Sequence, residues 1–153
     1  MNLRAIDHIF TLQRSPIALA PVIHQFYASS QPRAKDFLLS YLILPMVLYP
    51  AMQDYLAKVR KSSNLRTLCN EQSRLIGLIQ NTQQFKSLTH SALLVLRAEQ
   101  AIEIHDDLSV KSLRDVRAAN ANPKLLKAAV GLAQLCSEAD IVSIYRTLGF
   151  KSL

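Results

Sequence analysis

Phe37 to Met52, FLLSYLILPMVLYPAM, is the longest uncharged run of the chain. It lies between Asp36 and Asp54 and is split by Pro45 and Pro50. A run of this kind is either buried in protein or held in a bilayer. It falls short of the ~20 residues a spanning helix needs, and its prolines interrupt it. It therefore reads as the buried centre of a soluble domain with no membrane contact. Apolar residues on every side from Phe37 to Leu44 fit a helix buried all round. Proline disfavours helical geometry in the residue before it, so Leu44–Tyr49 reads as a break or kink at Pro45. Pro50 then suits the first position of the next helix.

The rest of the chain reads mostly as helix. Half of the 153 residues are hydrophobic, carried by leucine, alanine and isoleucine, with 3 glycines and no tryptophan. That is enough apolar material for one core, and it predicts a single domain over 1–153. N-terminal helices occupy 1–61, helices and a hairpin 62–112, and C-terminal helices 113–153. Residues 1–14 form an opening arm, with Leu3, Ile6, Ile9, Phe10 and Leu12 spaced for a short amphipathic helix or an extended lead.

Ser15-Pro16 pairs an N-cap with a first-turn proline, and predicts a helix to about Ser30 with Ile17, Pro21, Ile23 or His24, and Tyr27 along one side. Pro21 falls early enough to bend it or shift its start. Gln31-Pro32 breaks the pattern, and a second helix starts near Arg33. The helix opened by Pro50 ends in Lys58, Arg60 and Lys61, cations that suit a helix C-terminus. Ser62-Ser63 caps a short helix followed by a longer one, with Leu65, Leu68, Cys69, Leu75, Ile76 and Ile79 at helical spacing. Thr89 caps a further helix, HSALLVLRAEQ.

Residues 101–112, AIEIHDDLSVKS, alternate in polarity on both sides of Asp106-Asp107, which predicts a β-hairpin with a two-residue turn. Leu113–Asn122 reads as a turn of helix and a loop. Asn122-Pro123 opens another helix with Leu125, Ala129, Leu132, Ala133 and Cys136 inward. Ser137 caps the last, where Ile141, Ile144, Tyr145 and Leu148 face in, Gly149 takes the C′ position and Phe150 packs back. The fold class is all-α with one small β-hairpin. Three helices followed by a hairpin is also the order of a winged helix-turn-helix core, with the helix near 89–100 as recognition helix. Its outer side carries Arg97 with Glu99 beside it, poor in the cations that base reading needs.

The charge balance is 18 basic to 11 acidic residues, +7. An excess of that size suits nucleic acid or an acidic protein surface. The histidines His8, His24, His90 and His105 have no metal spacing between them, and three isolated glycines build no phosphate loop. In Thr89-His90-Ser91 the neighbours face apart on a helix, so the triplet makes no nucleophile–base pair. Cys69 and Cys136 form neither a metal motif nor a disulfide framework, and reduced buried thiols suit the cytoplasm. The expectation is a protein without catalytic, cofactor or metal residues.

The central stretch resembles a segment of the middle components of bacterial three-component ABC-ATPase systems, and is similar to that of the small accessory subunit of Lamassu anti-phage defence complexes. In those proteins an Asn/Ser-Pro segment precedes a helix, and an apolar helix leads into Leu-Pro-aliphatic-aliphatic-Leu-(His/Tyr). Ser15-Pro16 and Leu44-Pro45-Met46-Val47-Leu48-Tyr49 match these features. Arg74, Thr89 with Ala92-Leu93, residues 101–112 and Leu148-Gly149-Phe150 follow in the family's order. QDYLAKVRK stands where the family has an arginine-leucine-proline piece, and Leu68-Cys69 where it often has a tryptophan.

The resemblance implies a non-catalytic adaptor in anti-phage or anti-plasmid defence. It would bind an SMC/Rad50-like ATPase and couple DNA sensing to an effector, often a nuclease, with double-stranded DNA met through the complex. Leu44, Pro45, Met46, Leu48 and Tyr49 would form the partner interface if that part of the stretch is exposed. The rival is a stand-alone winged-helix DNA-binding regulator. For DNA or phosphate contact the candidates are Lys58, Arg60, Lys61, Arg66, Lys86 and Arg97. An antidote of a toxin pair is a third option.

Overall fold

A computed structural model describes residues 15–119 and 121–151 of the chain. The opening arm 1–14, with the amphipathic spacing expected there, lies outside the described residues. The fold is mostly helical with one antiparallel two-stranded hairpin.

Helix α1 spans Pro16–Ala28, and Ser15 caps it: the Ala18 N–H donates to Ser15 Oγ at 3.1 Å. Pro21 sits inside the helix without moving its start. Leu19, Ala20, Val22, Ile23, His24, Phe26 and Tyr27 are buried, whereas Ile17, expected on the inner side, is 73% exposed.

The central stretch starts later than its sequence predicts. Lys35 takes a left-handed φ of 66°, a 3-10 turn covers Asp36–Leu39, and α2 runs Ser40–Leu48 straight through Pro45. The kink expected at Pro45 falls instead at Tyr49, whose ψ of 118° is extended, and the path turns by 103° into α3, Pro50–Leu56. The physical reason is position. Pro45 is the sixth residue of α2, inside the helix, where its missing N–H costs one backbone bond while the packed helix continues to Leu48. Pro50 follows Tyr49, the residue that caps the α2 C-terminus, and forces it out of the helical region. Gln53 Nε2 then donates to the Val47 carbonyl at 2.9 Å, serving an acceptor that the helix end leaves open. Helix α2 packs against α1, α3 and the helices over Leu78–Ala98 and Pro123–Cys136. Leu42, Ile43, Leu44, Met46 and Val47 are buried within one continuous apolar cluster.

Helix α3 ends at Leu56, so Lys58, Arg60 and Lys61 stand on the connection beyond it rather than in its last turn. The short α4, Leu65–Cys69, is capped by Asn64 and not by Ser62-Ser63. The Thr67 N–H donates to Asn64 Oδ1 and the Asn64 N–H to Thr67 Oγ1, each at 3.0 Å. After a 3-10 turn at Gln72–Arg74, Gly77 at φ 75° opens α5, a 21-residue helix over Leu78–Ala98. Thr89 lies buried within it, so the expected new start there is absent. The segment before Thr89 belongs to one continuous amphipathic rod, with Gln83, Gln84, Lys86 and Ser87 exposed.

Strands β1, Ile102–Ile104, and β2, Val110–Ser112, pair Ile102 with Ser112 and Ile104 with Val110. Asp106-Asp107 form the centre of the turn, but it carries one residue more than a two-residue loop. The Leu108 N–H donates to the His105 carbonyl, and Leu108 takes a left-handed φ of 63° before the His105 N–H donates to Ser109 O. Asp36 ties this hairpin to the central stretch. Its buried carboxylate accepts the Val110 N–H at 2.7 Å and the Arg33 N–H at 3.1 Å. The Lys35 and Phe37 N–H groups donate to Asp107 and Leu108 carbonyls, both at 2.9 Å.

Residues 113–119 run without helix over the surface. Helix α6, Pro123–Cys136, is capped by Asn122, whose Oδ1 accepts the Lys124 N–H at 2.9 Å. Helix α7, Ile141–Thr147, is capped by Asp140; Ser137 instead closes α6, its hydroxyl donating to Gln134 O at 2.7 Å. Arg33 crosses to this corner and donates to the Cys136 and Ala139 carbonyls at 2.6 and 2.7 Å. Gly149, φ 95°, ends α7. The Phe150 N–H returns to the Tyr145 carbonyl and the Phe150 ring meets Tyr145 edge to face at 5.1 Å.

Candidate docking groove

Helix α5 presents two faces. Leu78, Thr89, Ala92, Leu93 and Leu96 are buried, while Ile79, Gln83, Lys86, His90, Leu94 and Arg97 share the outer side at spacings of three and four. Two of these exposed residues are large and apolar, Ile79 at 44% and Leu94 at 63%; Ile76, just before the helix, is 69% exposed. Helix α5 contains no acidic residue.

At the N-terminal half of α5 this face becomes one wall of a groove of about 540 Å³. Ile79 and Lys86 come from α5, Tyr41 from the start of α2, and Tyr145, Phe150 and Lys151 from the α7 end. Each wall has a local cause. The Gly149 turn folds Phe150 back onto Tyr145, and the Tyr145 hydroxyl donates to the Leu38 carbonyl, fixing α7 to the central stretch. Burial pushes the Tyr145 phenol well above its ordinary range, so it remains a protonated donor. Tyr41 stands edge to face with Phe37 at 5.9 Å and with His90 at 5.4 Å, and its hydroxyl meets His90 Nε2 at 3.0 Å. The Lys86 ammonium lies 5.6 Å from the Tyr41 ring centroid, within cation–π range. Thr82 donates to Leu78 O at 2.9 Å, so its hydroxyl is engaged on its own helix. Among the described residues, Lys86 and Lys151 are the charged residues lining the groove, and no carboxylate does. The arrangement is an apolar and aromatic floor with a cationic rim.

The expected interface residues lie elsewhere. Leu44, Pro45 and Met46 are buried in the core, and Leu48 and Tyr49 are half-buried at its edge. The exposure that expectation required is therefore missing at Leu44, Pro45 and Met46. The apolar character of the stretch reflects its place between four helices.

The six candidate cations are exposed but divided. Lys58, Arg60 and Lys61 are on the α3–α4 connection, and Arg66 follows on α4. Lys61 and Arg66 line a second cleft of about 610 Å³ together with Glu138 from beyond α6. Lys86 rims the apolar groove, and Arg97 stands three turns further along α5, roughly 16 Å away by helical rise. Arg74 serves the fold, its guanidinium 4.2 Å over the Tyr55 ring and bonded to the Thr67 and Leu68 carbonyls. His90 engages Tyr41, and Thr89 is buried on the other side of α5.

The groove residues Tyr41, Tyr145 and Phe150 read as core from sequence, and Ile79 as part of an inner stripe. The one signal that could have marked the site is the Ile76-Gly77-x-Ile79 step, two isoleucines beside a glycine-opened helix whose polar face begins at Gln80.

The described residues form a helical body with a short hairpin and an apolar, cation-rimmed groove, an architecture that by itself fixes no function. The chain matches the family model of the ABC-three component (ABC-3C) system Middle Component 3 over residues 3–152, and belongs to that family. No curated protein and no solved structure matches it. Among the described residues no single helix is long and apolar enough to cross a membrane.

Proposed function

We propose that the chain is the non-catalytic adaptor of its three-component system. It binds the SMC/Rad50-like ATPase component in the cytoplasm and couples DNA sensing by that ATPase to an effector such as a nuclease. In this it acts as the small accessory subunit of Lamassu anti-phage defence complexes does, with ATP hydrolysis and cleavage belonging to the partners. The observation that carries the reading is the family match over residues 3–152. The exposed apolar face of α5 and its groove supply what a binding subunit needs, a surface whose burial is favourable.

The test is recovery of the tagged chain expressed from its native operon, followed by size-exclusion chromatography and mass spectrometry. Coelution with a large coiled-coil ATPase is expected. A lone 17.1 kDa species or its dimer that shifts duplex DNA would sink the adaptor reading and leave the winged-helix regulator.

A further inference from the structure

We propose that the Tyr41–Ile79–Phe150 groove is the seat for an amphipathic helix of the ATPase component. That helix presents adjacent apolar side chains one turn apart, flanked by carboxylates that meet Lys86 and Lys151. The inference rests on the adaptor reading and names the surface and chemistry that reading leaves open.

Three features select this occupant. First, among the described residues the groove is walled by helices and aromatic rings and no strand lines it, so these walls offer no backbone ladder for an extended peptide. Recognition must come from side chains, which is how a helix docks in a groove through residues spaced by three or four. Second, a volume of about 540 Å³ between Tyr41, Ile79 and Phe150 accommodates side chains from about one helical turn. Third, both charged groups on the rim among the described residues are cations. Lys86 is already held over the Tyr41 ring, so a carboxylate arriving beside it meets a positioned ammonium.

The same charge argument disfavours two nearer occupants. A second copy of this chain brings a net +7 to a cationic rim. The chain's own residues 1–14 carry Arg4 and Arg14 against Asp7.

The experiment measures binding of the purified full-length chain to the purified ATPase component encoded beside it, by biolayer interferometry. The variants are Ile79→Glu and the double variant Lys86→Glu/Lys151→Glu. Ile79 and both lysines are exposed, so folding should survive, and unchanged circular dichroism and melting temperature check this for each. Leu94→Glu, on the same helix face but outside the groove, is the control.

The expected result is affinity reduced at least about tenfold by Ile79→Glu and by the double lysine reversal, with Leu94→Glu within about twofold of wild type. Wild-type binding that survives both groove changes overturns the groove while leaving the adaptor reading intact. Absence of wild-type binding overturns both. Hydrogen exchange on the isolated chain covers the remaining occupants. Protection of residues 76–86 and 145–151 that disappears in an Ile6→Glu/Phe10→Glu variant, or that follows a monomer–dimer equilibrium, assigns the groove to the chain's own arm or to a second copy. Either result overturns the proposal.

Discussion

Gly131 shows how a single residue can set the distance between elements. It lies inside α6, where glycine costs ~1 kcal/mol relative to alanine, yet a Cβ there would stand 1.9 Å from the Leu56 carbonyl oxygen. That oxygen belongs to backbone at the end of α3 and cannot swing aside. Gly131→Ala should therefore destabilise the protein by ~3 kcal/mol despite its better helix propensity, read as a lower urea midpoint with unchanged slope. A midpoint equal to or above wild type would show that α3 and α6 are not in this contact.

His24 gives the second residue-scale expectation. It is buried on α1, with Nε2 2.8 Å from Ser112 Oγ, and that hydroxyl donates to the Arg114 carbonyl at 3.0 Å. Because the serine proton is engaged, the Nε2–H is the donor in the first bond. Burial first, then the Arg114 charge, hold its pKa below the ordinary 6.5. The unfolded chain therefore binds a proton at His24 that the native chain refuses. The stability this group confers is complete above 6.5 and falls as pH drops through the window beneath it. The urea midpoint should fall between pH of about 7.5 and 5.5, and fall less in His24→Met, which cannot titrate. Equal losses in the two proteins would assign the pH dependence to other groups.

At the scale of elements, what the sequence revealed was local chemistry. Ser15-Pro16 and Asn122-Pro123 are caps decided within one turn, and both open helices as read. The alternation of Ile102, Ile104 and Val110 marked the hairpin, since period-two patterning suits a half-buried strand and no helix face. The errors fall where several local options compete. Ser62, Ser63 and Asn64 can each cap a helix, and the asparagine wins because Thr67 completes the reciprocal pair of bonds. Pro45 and Pro50 are equal as residues but differ in their distance from a helix start. Thr89 has the composition of a cap, yet a helix already packed on α1 and α2 carries it through as a core residue. The groove was the least legible feature. Tyr41, Ile79, Lys86 and Phe150 are far apart in the chain and meet only through packing of α2, α5 and the α7 turn, and nothing in their local sequence says which side of an aromatic ring stays open.

For the whole molecule the question is what a +7 charge does when it is not gathered in one place. Sequence-independent DNA binding scales with the number of phosphates neutralised together, and each contributes a slope of about 0.9 in log affinity against log salt. Arg97 is the cation of α5 nearest the hairpin. Lys86 lies some 16 Å back along the helix at the groove, and Lys61 and Arg66 share their cleft with Glu138. Glu99, just past α5, faces Arg114 at 3.0 Å and Arg117 at 3.8 Å, so these arginines are already partly neutralised. A duplex laid along α5 would thus meet about two cations. The isolated chain should bind duplex DNA weakly, with a salt slope of magnitude near 2, and Arg97→Glu should change that affinity no more than Lys58→Glu does. If the adaptor proposal holds, the reconstituted complex should bind far more steeply, because the ATPase would make its DNA contacts. Fluorescence anisotropy across a salt series on both samples measures this directly. A slope of about 6 or more for the chain alone, abolished by Arg97→Glu, would mean that α5 and the hairpin grip DNA as a winged helix does. The charge pattern on α5 would then be a reading surface and not the rim of a protein-binding groove.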